Sequence, residues 1–393
     1  MKNDLIKTKT AKDLEQEKAL KVCLETDGNV LLSMATGTGK SRVAIEYAKI
    51  KKCNKIAILV PTEELRDNNW REEFEKWGAR KIWENNVESY CYASGSKVKG
   101  NEYDLVIMDE AHRITELSYE FFKDNKIKKI IALTATEPEK MNKIDLFYNL
   151  SFKEKYSLSL DEAIEKGIVA DYKITIIYTQ LNNNLRYIKA GSKTKPFITT
   201  EKAQYDYFSK QIAAYQNKQF LSSKDEAMKE MFILKRMHLI YNLKSKMIAA
   251  KYIKDKILDK KSRNLFFCGS IEQAEELCEY TYHSKTDDRN LIKFKKGLIN
   301  QLSCVDALNE GINVENVDGA LVVQLKSSQI QFIQRIGRTL RIRPNHISNI
   351  FVLVCKGTQD EIWMQKALRN LDQNKVEYKT INEYFYGSNL NKT

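Results

Sequence analysis

Proline is scarce in this chain, four residues in 393 (Pro61, Pro138, Pro196 and Pro344), and no Gly/Ser-rich or low-complexity tract interrupts it. That scarcity excludes a flexible linker as the mark of a domain boundary. The seven cysteines (Cys23, Cys53, Cys91, Cys268, Cys278, Cys304 and Cys355) are scattered, odd in number and without a Cys-x-x-Cys pair. This pattern excludes a disulfide framework and a cysteine zinc site, and it points to a reducing, cytoplasmic setting. No apolar run approaches the ~18 residues of a membrane span, and Met1-Lys2-Asn3-Asp4 lacks the apolar core of a signal peptide. The expectation is a protein that does not enter a membrane. What the chain does have is length for two α/β units with buried cores. It also has an excess of 65 Lys plus Arg over 52 Asp plus Glu, a net charge of +13. Such a charge favours a polyanionic partner such as nucleic acid, although a Lys-rich gene composition would produce part of the same excess.

Short apolar runs recur with helical stretches between them: Val30-Leu31-Leu32, Ile56-Ala57-Ile58-Leu59-Val60, Leu105-Val106-Ile107-Met108 and Ile130-Ile131-Ala132-Leu133. Continuous apolar runs alternating with helices indicate parallel strands buried on both faces, and ligands in such sheets bind at the carboxyl ends of the strands. A polar motif follows each run. A second series, Ile174-Thr175-Ile176-Ile177, Leu265-Phe266-Phe267-Cys268, Ala320-Leu321-Val322-Val323 and Ile350-Phe351-Val352-Leu353-Val354, repeats the pattern. Between its first two strands, a polar helical stretch over about residues 201–243 reads as an insertion. Its aromatics Tyr205, Tyr207, Phe208, Tyr215 and Phe220 read as packing residues, with base stacking as the lesser alternative. The helical pattern of Leu160 to Lys166 ends at Gly167, which places the junction near Gly167 to Tyr172 and divides the chain into domains 1–170 and 171–393.

After the first strand comes Ala35-Thr36-Gly37-Thr38-Gly39-Lys40-Ser41. Backbone N–H groups can approach phosphates only where side chains are small, which Gly37 and Gly39 allow. Lys40 offers a point charge to the β and γ phosphates, a helix starting near Ser41 adds its positive end, and the Ser41 hydroxyl can ligate Mg²⁺. The strict phosphate-loop pattern would place glycine at Met34, so the match is imperfect. At the end of the third strand in sequence order, Asp109 is placed to hold Mg²⁺, a hard cation that prefers carboxylate oxygen. Glu110 is the candidate base for an attacking water, and His112 completes the word Asp109-Glu110-Ala111-His112. Thr134 and Thr136 occupy the tip of the next strand. Their hydroxyls can bond toward the metal box, or can equally cap the following helix. Far downstream, Arg338 and Arg341 in Gln334-Arg335-Ile336-Gly337-Arg338-Thr339-Leu340-Arg341 share one helix face and can clamp a γ phosphate, with Gln334 to orient water.

On these words the chain resembles the superfamily 2 helicases of the DEAH type, closest in style to restriction-enzyme motor subunits and phage DNA helicases, from about Gln16 to Arg341. The resemblance implies two RecA-like parallel-sheet domains in tandem, the second carrying the helical insertion, and ATP with Mg²⁺ as cofactors. It implies that Gln16 recognises adenine and that Thr36, Gly37, Thr38, Gly39, Lys40 and Ser41 hold the nucleotide. His112, Thr134 and Thr136 would couple the site to movement. Pro61-Thr62-Glu63-Glu64-Leu65 with Trp70 is similar to the strand-tracking motif of the first domain, and Gly269-Ser270 to its counterpart in the second. In Asn309-Glu310-Gly311-Ile312-Asn313, Asn313 stands where relatives often have an Asp that contacts ribose, and Val305 where many have a Thr.

The expected function is therefore an ATP-dependent DNA helicase or translocase that unwinds duplexes or remodels branches, acting as a monomer with nucleic acid and with loading proteins as possible partners. An RNA helicase is the runner-up, because tracking through phosphates is nearly blind to the sugar. A nucleic-acid clamp without turnover, and a P-loop kinase, stand behind it.

Overall fold

The computed structural model describes residues 9–63, 65–135, 137–138, 141–218, 220, 222–305, 317–325, 347–369 and 371–383. These divide into two compact units that meet in sequence between Asp171 and Tyr172.

In the first unit, helix α1 (Ala11–Glu25) precedes strand β1 (Asn29–Met34), helix α2 (Lys40–Lys51) and strand β2 (Ile56–Val60). Strands β3 (Val87–Cys91), β4 (Leu105–Met108), β5 (Ile130–Thr134) and β6 (Phe152–Leu158) follow, and helix α3 (Leu160–Glu165) ends the unit. The sheet order is β3-β2-β4-β5-β1-β6, every pair parallel. The central strands β2, β4 and β5 are buried along their whole length, which is why they read as unbroken apolar runs. Register aligns Ile58 with Ile107 and Ile107 with Ile131. The carboxyl ends of β1, β2, β4 and β5 therefore open onto one sheet edge, where the strand order reverses and ligands settle. Because β3 intervenes, the strand that delivers Asp109 is not the third in sequence, as the apolar runs alone imply; β3 is only half-buried and mixes Glu88 and Ser89 with its apolar residues.

The second unit is built on β7 (Asp171–Thr179), followed by an antiparallel ribbon of β8 (Ile188–Gly191) and β9 (Pro196–Thr199). Helices α4 (Glu201–Gln216), α5 (Ser223–Tyr241) and α6 (Lys244–Tyr252) come next, then β10 (Asn264–Phe267), helix α7 (Ile271–Leu277), and strands β11 (Thr281–Tyr282), β12 (Gln301–Cys304), β13 (Gly319–Val322) and β14 (Ile347–Cys355). Helix α8 (Gln359–Leu368) and strand β15 (Val376–Thr380) close it. Its sheet order is β11-β12-β10-β13-β14-β7-β15. Each unit thus carries the mainly parallel sheet expected of a RecA-like domain, two of them in tandem along the chain. The stretch 201–243 contains the helical pair α4 and α5, whose aromatics pack on one another: Tyr207, Phe208 and Tyr215 lie 6.2, 6.3 and 6.1 Å from Phe232. Phe220, between the helices, is exposed.

A buried charge pair stiffens this second unit. Lys246 of α6 meets Asp360 of α8, both fully buried, and Lys246 Nζ also donates to Gln324 Oε1 at 2.8 Å. Gln324 Nε2 donates to Asp360 Oδ1 at 3.0 Å, and the Cys355 backbone N–H donates to Asp360 Oδ2 at 3.0 Å. Every polar atom of the carboxylate is thereby satisfied, the condition under which a buried charge is tolerated.

Candidate active site

The loop joining β1 to α2 takes its shape from two left-handed glycines, Gly37 at φ 88° and Gly39 at φ 89°. A Cβ on Gly39 would also lie 2.0 Å from Gln16 Nε2, so that side chain would have to give up its place. Gln16, buried on α1, donates from that nitrogen to Thr38 O at 2.8 Å and accepts from Arg42 NH1 at 2.6 Å. Lys12 of the same helix donates to Gly37 O at 2.7 Å, and Asp13 pairs with Arg42 at 2.5 Å. Four residues of α1 and α2 thus fix the loop from outside. Lys40, the first residue of α2, reaches back to donate to Met34 O at 2.8 Å and Ala35 O at 3.4 Å. Burial holds its ammonium below the usual range, while the carboxylates of Glu110 and Asp109 pull it the other way. The Thr36 hydroxyl is buried with no hydrogen-bond partner. Two left-handed glycines, an orphaned hydroxyl, a lysine and a helix N-terminus are the donor set that a polyphosphate fits.

Across the same edge, β4 delivers Asp109. Its Oδ2 accepts from Trp70 Nε1 at 2.9 Å and its Oδ1 from the Glu110 backbone N–H at 3.0 Å. Desolvation, with the Glu110 charge beside it, pushes the carboxyl up to about 6. Glu110 sits in the left-handed region, φ 47° and ψ 51°, a rare and costly conformation for a residue with a side chain. His112 is buried, with Nδ1 3.1 Å from the Thr134 hydroxyl at the end of β5 and 3.5 Å from Glu110 Oε2. Its Nε2 has no partner, and burial lowers its pKa to about 4, so near neutrality the ring is uncharged. A hydroxyl on one strand is thereby linked through a neutral imidazole to the acid pair on its neighbour.

A comparison over 382 residues matches an archaeal protein, the DNA 3′-5′ translocase XPB2 of Sulfurisphaera tokodaii, at 26% identity, covering 91% of this chain and 84% of that protein. Residues 8–139 match the family described as the type III restriction enzyme res subunit, and residues 248–343 the helicase conserved C-terminal domain. The chain belongs to the superfamily 2 helicases. This helicase is accordingly a nucleic-acid-dependent ATPase. Its fold is shared with the helicase domain of Pyrococcus furiosus Hef (TM-score 0.54, 16% identity, 93% of this chain and 99% of that one). It is shared too with Saccharomyces cerevisiae Dbp5, solved with RNA and ADP BeF3 (TM-score 0.58, 12% identity, 96% and 92%).

Within the first unit, the helicase brings Gln16, Thr36, Gly37, Thr38, Gly39, Lys40, Asp109, Glu110, His112 and Thr134 to one sheet edge. Pro61 and Thr62 follow β2 at that edge, half-buried, with the Thr62 hydroxyl accepting from the Leu65 backbone N–H at 3.4 Å. Ser41 lies in the first turn of α2, also half-buried. In the second unit, Ser270 caps α7 by accepting from the Gln273 N–H at 3.2 Å, and the Gly269 N–H donates to Gln273 Oε1 at 2.8 Å. Thr136, Asn313, Gln334, Arg338 and Arg341 lie outside the described residues. Trp70 differs from its expected place. Grouped by sequence with the strand-tracking residues, it is only 2% exposed and spends its N–H on Asp109. No local signal in the sequence links positions 39 residues apart, so this donor is found only in the fold. Among the described residues, no helix is long and apolar enough to cross a membrane.

Proposed function

We propose that this helicase hydrolyses ATP to travel 3′ to 5′ along a DNA strand, unwinding duplex or remodelling branched DNA. The observation that carries the catalytic part is the shared edge on which Lys40 and the Asp109-Glu110 pair lie within electrostatic reach of one another. DNA as the track is supported by the translocase relative aligned along nine-tenths of the chain and by the net charge of +13. The phosphates of ATP would lie on the Thr36–Ser41 loop, with Gln16 toward the adenine and Asn313 toward the ribose. Ser41 and Asp109 would hold Mg²⁺, which supplies charge neutralisation at the phosphate oxygens. Glu110 orients and deprotonates the attacking water, Gln334 assists, and Arg338 and Arg341 stabilise the γ phosphate. His112, Thr134 and Thr136 sense the state of that site, while Pro61, Thr62, Gly269 and Ser270 hold the strand by its phosphates.

The deciding experiment is an ATPase assay across single strands, duplexes, forks and four-way junctions of both DNA and RNA. DNA should stimulate turnover more than RNA, and the stimulation should fall steeply with salt, since phosphate contacts release counterions. Greater stimulation by RNA would replace DNA as the track. Glu110→Gln should abolish turnover while sparing nucleotide binding; undiminished turnover would remove Glu110 from the role of base, and a wild-type chain without measurable turnover would return it to the reading of a non-catalytic clamp.

A further inference from the structure

The ribbon of β8 and β9 is used by nothing described so far. Among the described residues it pairs with no other strand, and a two-stranded ribbon on its own is marginal in water, so something else must hold its shape. Its neck is held by Glu201, a fully buried residue at the start of α4. Glu201 accepts from the Tyr187 hydroxyl at 2.6 Å, from the Asn182 N–H at 2.7 Å and from the Ser245 N–H at 3.1 Å. The Tyr187 hydroxyl in turn accepts from the Lys244 N–H at 3.1 Å. The tip is fixed as well. Gly191 is left-handed at φ 89°, where a Cβ would meet Lys195 O at 2.2 Å, and the Lys195 N–H donates to the Ser192 hydroxyl at 3.1 Å.

On this anchored ribbon two large apolar residues, Phe197 and Ile198, face outward. Register pairs Ala190 with Phe197 on one face and Lys189 with Ile198 on the other, because directly opposed residues share a face. Phe197 is 57% exposed and Ile198 56%, so neither face is packed on a core. The segment 181–200 carries four cations, Arg186, Lys189, Lys193 and Lys195, and no acidic residue. Four like charges around an exposed ring disfavour a second copy of the same ribbon and favour a polyanion that also offers flat apolar surfaces.

We propose that the β8–β9 ribbon binds single-stranded nucleic acid, with Phe197 stacking on a base and Lys189, Lys193 and Lys195 contacting the flanking phosphates. This inference rests on the nucleic-acid reading above and adds to it a preference. A base can lie on Phe197 only when its face is free, which is so in a single strand and not inside a duplex, so the ring favours unpaired over paired strands. Stacking one base on an aromatic ring is worth roughly five- to a hundredfold in affinity, whereas the lysines act on both kinds of strand alike.

The test measures binding of an oligothymidylate and of a blunt duplex by fluorescence anisotropy, using the full chain, with unstimulated ATPase as the control for folding. Phe197→Ala should weaken oligothymidylate binding by about tenfold and leave duplex binding unchanged, and Phe197→Trp should restore it. Lys193→Ala with Lys195→Ala should weaken both and lower the salt slope by about 1.5. If the wild-type chain binds the oligothymidylate and Phe197→Ala binds it equally well, the ribbon assignment falls while the helicase reading stands. A wild-type chain that binds neither DNA nor RNA would sink both. A wild-type dimer made monomeric by Phe197→Ala would also overturn the proposal, in favour of self-association through the ribbon.

Discussion

Replacing Trp70 with phenylalanine keeps a ring beside Phe74, whose centroid is 6.2 Å away, and removes the one indole N–H that Asp109 Oδ2 receives at 2.9 Å. A hydrogen bond to a charged group is worth roughly 1.5–3 kcal/mol, and one pKa unit corresponds to about 1.36 kcal/mol. The donor stabilises the carboxylate form, so its loss favours the acid and should raise Asp109 by about one to two units. From a starting value of about 6, the group would then titrate near 7 to 8, by about that shift. A protonated carboxyl is a poor ligand for a hard cation. At neutral pH the wild type would be ionised in about nine molecules of ten, and the variant in between about half and a tenth. The assay is kcat/KM for ATP hydrolysis as a function of pH, which reports the free enzyme. The acid limb of Trp70→Phe should move up by about one to two units and the two profiles should converge at alkaline pH. A limb that stays in place, with activity lowered by one constant factor at every pH, would refute the reasoning and leave Trp70 as a packing residue only.

Three further outcomes follow from the geometry. Gly39→Ala should lower affinity for a fluorescent ATP analogue by at least about tenfold, because the left-handed backbone alone costs roughly 1–2 kcal/mol in a residue with a Cβ and that Cβ collides with Gln16; unchanged affinity would exclude the loop as the binding site. Lys246→Met should destabilise the second unit by about 3–5 kcal/mol in urea unfolding by leaving Asp360 buried and unpaired, and adding Asp360→Leu should recover most of that loss. Finally, the pH dependence of stability should carry two opposed contributions. His112 is depressed to about 4, so the unfolded chain binds the extra proton and stability falls as pH drops from about 6.5 to about 4. Asp109 is raised to about 6, so the folded chain binds the extra proton and stability rises as pH drops from about 6 to about 4. Asp109→Asn should expose the His112 limb, giving a steeper loss of stability toward pH 4 than the wild type, by about 2–3 kcal/mol; parallel wild-type and variant profiles would show that Asp109 is not perturbed.

The central strands of both units were legible because burial on both faces leaves an uninterrupted apolar run, and each motif follows such a run directly. The strands that escaped notice fall outside that rule. In β6, Phe152 to Leu158, only Leu158 is buried, and lysines and a glutamate occupy the positions between; β12 has just four residues, including Gln301 and Ser303. The ribbon escaped for another reason. Its turn, Ser192-Lys193-Thr194-Lys195, contains none of the Asn-Gly or Asp-Gly pairs that announce a hairpin, and Pro196 argues locally against a strand. Within the site, residues adjacent in sequence were readable as words, and Gln16 was reached through the family resemblance. Contacts between distant positions were not: the Trp70 donor to Asp109, and the Lys246–Asp360 pair, depend on which helices the sheet order brings together.

The bonds from Lys40 to the carbonyls of Met34 and Ala35 bear on molecular selection. If ATP binds this loop as proposed, the Lys40 ammonium would exchange these two carbonyl oxygens for phosphate oxygens, and so would act as a gate that favours a ligand with more negative charge at that point. A nucleoside would offer the same ring and sugar but no charge at that point. The gate would therefore sort cellular nucleotides by the length of their phosphate tail before base identity is consulted, and Gln16 would judge only those that had already opened it.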